Sequence, residues 1–419
     1  MIKELYDSYV EKEKLEKELK KYKNSNTPSS ANKHLKENTQ GLKAKKKSKR
    51  GAPKGHKGST LRLMPEKIIN LIAKLCGKCG SSNIKPTGYT RKKTVVCYQK
   101  TKIIIKQYNQ QEVLCSDCGE LSLATHKDIP EKGIYDRKIQ SLVNYYKFKA
   151  RLPHNIIVDV MNNIHGIPMT SPTSLEITRR ASNKLEPFYL NLEEEAKQAK
   201  IIHGDETSHS VNGVNHWIWV FCNAMLFKFK EQRGGDIVEK TLGKDFKGKL
   251  VSDGWATYTS YSKDNKILHQ RCLDHWRREV KHECKKKHPN LYNWACDIYS
   301  MVRRAKSYKQ EKRRIAMYMK CKSELSMLVS NMKAHKNLRK MATKIENGQD
   351  KWFTCILHPE LPMDNNEAER SLRQFVIMRK IIGCLRSDMG VRTHEIMMSL
   401  ISTWEKQGKN VFYSLQDTL

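Results

Sequence analysis

The sequence has no run of eighteen apolar residues, so we expect no transmembrane helix and no membrane partner. Its first residues, Met1-Ile2-Lys3-Glu4, also lack the apolar stretch of a signal peptide. We therefore expect a cytoplasmic protein. In a reducing compartment, the 12 cysteines should be thiols and metal ligands rather than disulfides.

Acidic residues are scarce relative to basic ones. The chain of 419 residues has 44 Asp and Glu against 79 Lys and Arg, a formal net charge of +35. Nucleic acid is the usual partner of so basic a chain, because basic side chains displace the counterions condensed on phosphates. Hydrophobic residues make up 38%, so most of the chain can fold into two or three domains. The charge alone leaves a ribosomal or RNA-packaging protein open.

Composition and periodicity divide the chain into six segments. The first is a charged helix, solvated or in a short coiled coil, and the second is too polar to bury a core. A cysteine-punctuated module, a helical region that could read DNA, an α/β domain and a tail follow. The segments are 1–24, 25–62, 63–128, 129–198, 199–405 and 406–419. The second segment suits a DNA groove or serves as a linker; its basic run is Lys45, Lys46, Lys47, Lys49 and Arg50.

Two CxxC motifs lie in the third segment. They are Cys76-Gly77-Lys78-Cys79 and Cys115-Ser116-Asp117-Cys118. Each CxxC turn places two thiolates on one side of a tetrahedral ion, so the pair predicts a structural Zn²⁺ in a zinc ribbon. The β-rich runs Thr94–Tyr98 and Lys102–Ile105 would form its hairpin. A redox CxxC or two unrelated thiol pairs are the alternatives.

From Ala199 onward the pattern changes to short strands. Three hairpin-like strands, a short helix over residues 235–242 and two further strands follow in that order, which matches a ribonuclease-H-like α/β core. Basic helices without strands fill residues 274–350. The predicted strands are Ile201–Asp205, Trp217–Cys222, Met225–Phe229, Lys249–Ser252 and Lys266–Gln270.

Two acids lie at the ends of predicted neighbouring strands. Asp205 ends the first strand and Asp253 follows the fourth, so their carboxylates would meet at one edge of the sheet. Carboxylate oxygens are the ligands that hard divalent cations prefer. Glu206 competes with Asp205, although strand alternation turns the two to opposite faces. Each acid alone could also be an ordinary turn residue.

A third acid should come from Asp364-Asn365-Asn366-Glu367-Ala368-Glu369-Arg370, whose Asp-Asn-Asn cluster marks a helix start. The apolar stripe through Ala368 and Phe375 is flanked by Glu369, while Glu367 lies further round. We therefore favour Glu369. Acids in a first turn can also merely offset the helix dipole.

These residues resemble the transposases of the insertion sequence 66 group. The resemblance covers nearly the whole chain, and the run from Asp364 to Arg370 is among its most specific elements. It includes the segment Gly51–Gly58, the paired CxxC module, Asp205-Glu206-Thr207, Val251-Ser252-Asp253-Gly254, Gln270–His275, Arg379-Lys380 and the run from Arg386-Ser387 to Thr393-His394.

The resemblance implies a DNA transposase with a ribonuclease-H-like Asp-Asp-Glu site. Asp205, Asp253 and Glu369 would be the catalytic triad and the ligands of Mg²⁺ or Mn²⁺, with a helical insertion over about residues 276–355. The partners implied are double-stranded DNA at the element ends and the target, a second copy of the chain in a homodimer or higher oligomer, and accessory proteins encoded by the element. The protein would associate with the nucleoid.

Basic residues near the third acid could grip phosphates. They are Arg370, Arg373, Arg379, Lys380 and Arg386. Arg373 could instead pair with Glu369 four residues earlier. The Cys272-x-x-His275 motif after the fifth strand is interpreted as packing or DNA positioning, because two ligands do not make a metal site.

Two other functions compete with a transposase. One is a zinc-finger regulator that binds DNA with an inactive core, and the other is a ribonuclease-H-like nuclease without strand transfer. The presence of all three acids favours catalysis over regulation. The basic arm and the zinc module favour recognition of element ends over simple nuclease action.

Overall fold

The computed structural model describes residues 64–65, 68–75, 78–83, 85–87, 89–90, 92–93, 103–126, 128–223, 227–232 and 235–419. The predicted helix of residues 1–24, the linker of residues 25–62 with Lys45, Lys46, Lys47, Lys49 and Arg50, the run Thr94–Tyr98 and Cys76 all lie outside the described residues. Contacts divide the chain into two units, residues 29–104 and residues 1–28 with 105–419. The described part of the first unit has no helix or strand.

A two-stranded hairpin opens the described part of the second unit. Strand β1, Glu112–Leu114, pairs antiparallel with β2, Leu121–Leu123. The second CxxC motif forms the turn between them. The strand predicted over Lys102–Ile105 is wrong for its described residues, which are irregular. The hairpin forms later in the chain because the tight turn over Cys115–Gly119 brings the flanking residues into register.

Three helices follow, and prolines separate them. Pro153 precedes α2 and Pro172 lies in the first turn of α3, two positions where a missing N–H costs no helical hydrogen bond. The helices pack around a small core that includes Val143, Met161 and Ile177. Their bounds are Arg137–Asn144 (α1), His154–Asp159 (α2) and Ser171–Lys197 (α3), with π-helical turns over Tyr145–Lys149 and Val160–His165.

A five-stranded mixed sheet forms the centre of this unit. Its strand order is β5-β4-β3-β6-β7, in which β4 is antiparallel to β5 and β3, while β3, β6 and β7 are parallel. The mixed α/β fold expected from the sequence is thus confirmed. The strands are Ile201–Val211 (β3), Val214–Cys222 (β4), Phe227–Gln232 (β5), Lys249–Ser252 (β6) and His269–Arg271 (β7).

Helices pack against the sheet and bury its core. Helix α11, Asn366–Ile382, packs against β3 and β4, while α12, Asp388–Lys406, packs against β5 and α3. Strand β4, second in the sheet, buries Trp219, Val220 and Phe221 completely, which requires cover on both faces. Two short helices, Ile237–Leu242 (α4) and Ala256–Asp264 (α5), flank β6 in the chain.

The helical segment between β7 and α11 has a core of its own. Trp276 and Trp352 lie within it with ring centroids 6.3 Å apart, and Val251 of β6 joins it to the sheet. Because it has this core, the segment is a compact helical body. Its helices are Leu273–Cys284 (α6), Pro289–Lys306 (α7), Glu311–Ala334 (α8), Arg339–Glu346 (α9) and Thr354–Leu357 (α10), with 3-10 turns over Lys336–Leu338 and Gln349–Lys351.

Gly383, with φ +78°, ends α11, and Gly390 lies in the first turn of α12 under the Ser387 cap. One sequence prediction about the C-terminal region is wrong. The segment 406–419 is not a tail, because Val411–Thr418 forms helix α13. Leu415 and Leu419 are buried in the main core, and such apolar contacts are invisible to a local reading of polar composition. Among the described residues, no helix is long and apolar enough to cross a membrane.

Gly204 illustrates how tightly the sheet is packed beside Asp205. A Cβ at Gly204 would lie 2.6 Å from Cε1 of Tyr258, a fully buried side chain on α5. We predict that Gly204→Ala lowers the free energy of unfolding by about 1–3 kcal/mol, because the ring must shift within a packed core. Urea denaturation measures the loss. Gly235→Ala is the control, since its nearest contact is 3.4 Å and its effect should be below about 0.5 kcal/mol; equal losses would contradict the packing argument.

Candidate active site

Strand pairing brings Asp205 and Asp253 to one edge of the sheet. Strands β3 and β6 are parallel, and His203 lies opposite Val251 in their register. Two residues further along each strand stand Asp205, still in β3, and Asp253, directly after β6. This register places the two carboxylates next to each other, because neighbouring parallel strands keep the same residue offset along their length.

Burial and like charge make the two acids an electrostatically costly pair. Burial, then the charge of Asp253, and to a smaller extent that of Glu369, raise the pKa of Asp205 to about 7. The backbone N–H of Glu206 donates to Asp205 Oδ1 at 3.0 Å, and that of Trp255 donates to Asp253 Oδ1 at 2.9 Å. Oxygen ligands that repel one another in this way fit a divalent cation, whose charge removes the repulsion.

Helix α11 separates its two candidate acids. Glu367 accepts a close hydrogen bond from Lys406 of α12 and one at 3.5 Å from Arg370. Burial opposes its ionisation most strongly, but the hydrogen bond from Lys406 and the charges of Lys406, His203 and Arg370 together outweigh burial and lower the pKa of Glu367. Glu367 therefore serves an ion pair inside the fold, with Lys406 of α12.

Glu369 faces the acid pair and the insertion instead. Arg278 Nη2 of α6 donates to Glu369 Oε1 at 2.5 Å, and His275 Nδ1 lies 3.5 Å from the same oxygen. The charge of Glu369 acts on Asp205. Arg373, considered from its spacing as the partner of Glu369, is exposed, and the arginine that pairs with Glu369 comes from 91 residues earlier in the chain.

Asn365, which the sequence indicated only as part of a helix start, is a buried brace. Its side chain donates to the carbonyl oxygen of Gly204 at 2.8 Å and contacts His203 Nδ1 at 3.0 Å. Its backbone N–H donates to Cys272 Sγ at 3.2 Å. One fully buried residue thus ties the start of α11 to β3 next to Asp205 and to the start of α6.

Arg271, at the end of β7, holds the turn that follows Asp253. Its guanidinium stacks on Trp352 at 4.2 Å, and Nη2 donates to the carbonyl oxygen of Gly254 at 3.2 Å. A Cβ at Gly254 would come within 1.9 Å of Nη2, so a side chain there would displace the Arg271 guanidinium. The insertion therefore contributes to the position of Asp253, and nothing in the local sequence indicated this.

Glu206 is a fourth acid at this edge. Tyr258 Oη donates to Glu206 Oε2 at 2.8 Å. Burial, followed by the charge of Asp253, raises the pKa of Glu206 to about 8. Strand alternation predicts that Glu206 and Asp205 face opposite sides of the sheet. Their hydrogen-bond partners indeed differ: Tyr258 for Glu206 and a backbone N–H for Asp205. Because Asp253 lies beyond the end of β6, its charge raises the pKa of both Asp205 and Glu206.

The predicted zinc ligands are described only in part. Cys115 and Cys118 lie on the turn between β1 and β2, where backbone hydrogen bonds from Cys118 and Asp117 lower the pKa of Cys115. Cys79 is exposed. Gly80 and Gly119, one residue after each motif, both have φ of +74°, the left-handed conformation expected of such turns. The zinc ribbon itself stays a prediction.

The basic residues proposed for DNA contact differ in their exposure to solvent. Arg370, Arg373, Lys380 and Arg386 are exposed. Arg379 is half-buried and donates to Thr207 Oγ1 at 3.2 Å and to the carbonyl oxygen of Ser208, so it braces strand β3. In the helical region Lys147 is buried and Lys149 pairs with Glu405, because those lysines lie on the core side of their helical turn.

The family model described as "Transposase IS66 family" matches residues 132–393. The chain belongs to the IS66 transposase family. The matched range starts before α1 and ends in α12, so it contains the acids at the sheet edge and α11. An uncharacterized protein, y4jO of Sinorhizobium fredii, is 29% identical over 85 residues, which cover 20% of this chain and 26% of that protein.

Membership of this transposase family implies phosphodiester chemistry on DNA. It also implies divalent metal ions in general. Both fit a cluster of repelling carboxylates beside exposed arginines and lysines. The chain spans about a quarter of the length of y4jO in their alignment, so that relative adds nothing about the activity of the whole protein.

Proposed function

We propose that this IS66 family transposase cuts DNA at the ends of a mobile element and joins the freed ends to target DNA. The observation that carries the proposal is that acids from three separate segments act on one another: the charges of Asp253 and Glu369 both raise the pKa of the partly buried Asp205. Asp205, Asp253 and Glu369 would be the catalytic triad.

The sheet supports a ribonuclease-H-like interpretation of the core. The order β5-β4-β3-β6-β7, with only β4 running opposite to the other four strands, is the arrangement expected for that fold. The helical body of residues 273–357 then corresponds to an insertion before the third acid. Its own core, the contact of its Arg278 with Glu369 and the stacking of its Trp352 on Arg271 give the insertion a part in positioning the site.

In the proposed reaction, Asp205 and Asp253 hold Mg²⁺ or Mn²⁺. Such an ion acts as a Lewis acid on the phosphoryl group and orients attacking and leaving oxygens. Water attacks phosphorus at the element end, and the bond from phosphorus to the 3′ oxygen breaks, leaving a 3′-OH and a 5′-phosphate. That hydroxyl then attacks a target phosphodiester, and the target 3′ oxygen leaves. No covalent enzyme intermediate forms, so no Ser or Tyr nucleophile is needed.

The chain's own residues position these groups. Arg278 orients Glu369, Asn365 fixes α11 against Gly204, and Arg271 holds the turn after Asp253. Exposed Arg370, Arg373 and Lys380 on α11, with Arg386 beyond it, would bind the phosphates that flank the cut. The net charge of +35 supplies long-range attraction to double-stranded DNA.

End recognition is proposed for the N-terminal part. The basic run Lys45, Lys46, Lys47, Lys49 and Arg50, and a zinc ribbon of Cys76, Cys79, Cys115 and Cys118, would bind the terminal repeats. Two ends must be cut and joined together, which requires at least a homodimer on DNA. Accessory proteins encoded by the element would assist, and the complex would lie on the nucleoid.

A cleavage and joining assay tests the proposal. The purified full chain, Mg²⁺ and DNA carrying the borders of its own element should yield 3′-OH nicks at the borders and products joined to a target plasmid. EDTA should remove both. Nicks without joined products would indicate a nuclease, and border binding without nicks would indicate a regulator; either result overturns the proposal.

A further inference from the structure

The Cys272-x-x-His275 segment lies directly beside Glu369. Cys272 precedes α6, His275 is in its first turn, and Glu369 comes from α11. One ligand atom from each side chain lies within 4.8 Å of the other two. In the part of the chain that the structure describes, this is the only group of at least three Cys, His, Asp or Glu side chains with that geometry.

Backbone N–H groups point towards the sulfur of Cys272. The N–H of Asn365 donates to Sγ at 3.2 Å. Cys272 is 1% exposed, and burial raises the pKa of its thiol to about 11, while the backbone N–H groups of His275, Asn365 and Asp274 act in the opposite direction. The amides that would stabilise a thiolate are therefore already in place, and a bound cation would supply the remaining stabilisation.

The imidazole of His275 has an unused nitrogen at the same place. Its Nδ1 is buried and makes no hydrogen bond with any described residue, and its nearest ionisable partner is Glu369 Oε1 at 3.5 Å. A buried polar atom without a partner is costly, and metal ligation satisfies it. Arg278 occupies one lone-pair site of Glu369, and a carboxylate offers about four.

We propose that Cys272, His275 and Glu369 bind one divalent ion of the zinc class. Thiolate, imidazole and carboxylate are the three donor types of zinc sites, and sulfur excludes Mg²⁺ from this position. Thiolate and carboxylate together balance the 2+ charge. The fourth tetrahedral position is open to water or to a phosphate oxygen of DNA.

This site is distinct from the zinc ribbon and from the Asp205–Asp253 pair, but it shares Glu369 with the proposed triad. An ion held by Cys272 and His275 draws the Glu369 carboxylate towards α6 and away from Asp205. Zinc-class ions therefore inhibit Mg²⁺-dependent cleavage, and this consequence alone rests on the proposed function.

Metal content without DNA tests the site independently of cleavage. The full chain is stripped of metal and titrated with Co²⁺, and bound ions per chain and thiolate-to-cobalt charge-transfer absorption are recorded. Cys272→Ser should bind one ion fewer than the wild type and lose the corresponding absorption. Cys296→Ser, which removes a thiol from the same helical body, should match the wild type. Equal stoichiometry and spectra for Cys272→Ser and wild type would overturn the proposal.

His275→Gln provides a second variant in case Cys272→Ser disturbs the buried core. The side chain of His275 is one-third exposed, so the fold should tolerate the change. Affinity for the additional Co²⁺ should fall at least about tenfold, since even outer-shell partners of a metal are worth that much. Unchanged affinity in a folded His275→Gln protein would also refute the site. A chain that binds the ion but never cuts DNA would refute only the proposed function.

Discussion

Asp253→Asn is expected to abolish DNA cleavage, with a loss of at least about a thousandfold, or about 4 kcal/mol in activation free energy. The substitution removes one of two adjacent negative charges that would hold the divalent ion. Asparagine keeps the shape of the side chain. Its amide oxygen can still accept the hydrogen bond that Trp255 N–H donates to Asp253 Oδ1 at 2.9 Å. Nicking of labelled border DNA in Mg²⁺ measures the loss, and a gel-shift assay should show unchanged DNA binding.

Asp264→Asn is the matched control. Asp264 is an exposed acid at the end of α5, eleven positions further along the chain, and its substitution changes the net charge by the same amount. Cleavage should stay at the wild-type rate. An Asp253→Asn protein that nicks normally would remove Asp253 from the site, while joint loss of cleavage and binding would point to a folding defect.

The second large effect separates the two acids of α11. Glu369→Gln should lower cleavage at least about a hundredfold, because Glu369 is the acid whose charge acts on Asp205. Glu367→Gln should leave the cleavage rate within a small factor of the wild type. Single-turnover nicking of the two variants on the same DNA compares them directly.

Glu367→Gln should show its effect in stability instead. Lys406 loses its partly buried ionic partner, which should lower the free energy of unfolding by about 1–3 kcal/mol. Urea denaturation checks this. If Glu367→Gln abolished cleavage and Glu369→Gln did not, the assignment of the third acid would be reversed.

The buried brace at Asn365 explains why these two acids differ so sharply. Its side chain and backbone hold the first turn of α11 against Gly204 and Cys272. With the helix start fixed, two residues of sequence turn the side chains about 200° apart around the helix axis. Glu367 therefore faces α12 while Glu369 faces α6, and the helical periodicity of the sequence already favoured the latter.

Local patterns predicted the elements that carry the site. Strand β6 has the bounds that its apolar run predicts, Lys249–Ser252, and Asp253 follows it directly. Strand β3 begins at Ile201 as predicted but continues to Val211, so Asp205 lies inside it rather than at its end. Pairing with β4 over the whole length extends β3, and pairing partners are not encoded in a local window.

A missed element shares that cause. The C-terminal helix at Val411–Thr418 was missed, yet its Val411 and Leu415 are buried in the main core.

The sequence by itself determined the kind of protein: its basic charge, the acids at strand ends, the cysteine pairs and the resemblance to IS66 transposases, since each depends only on residue type and short spacing. The tertiary structure alone decided which groups meet. Glu369 approaches Asp205 across 164 positions of sequence, Arg278 reaches Glu369, and Cys272 and His275 close around the same carboxylate. Those contacts depend on strand register and on helices packing over the sheet, which arise only when distant segments bury their apolar faces together.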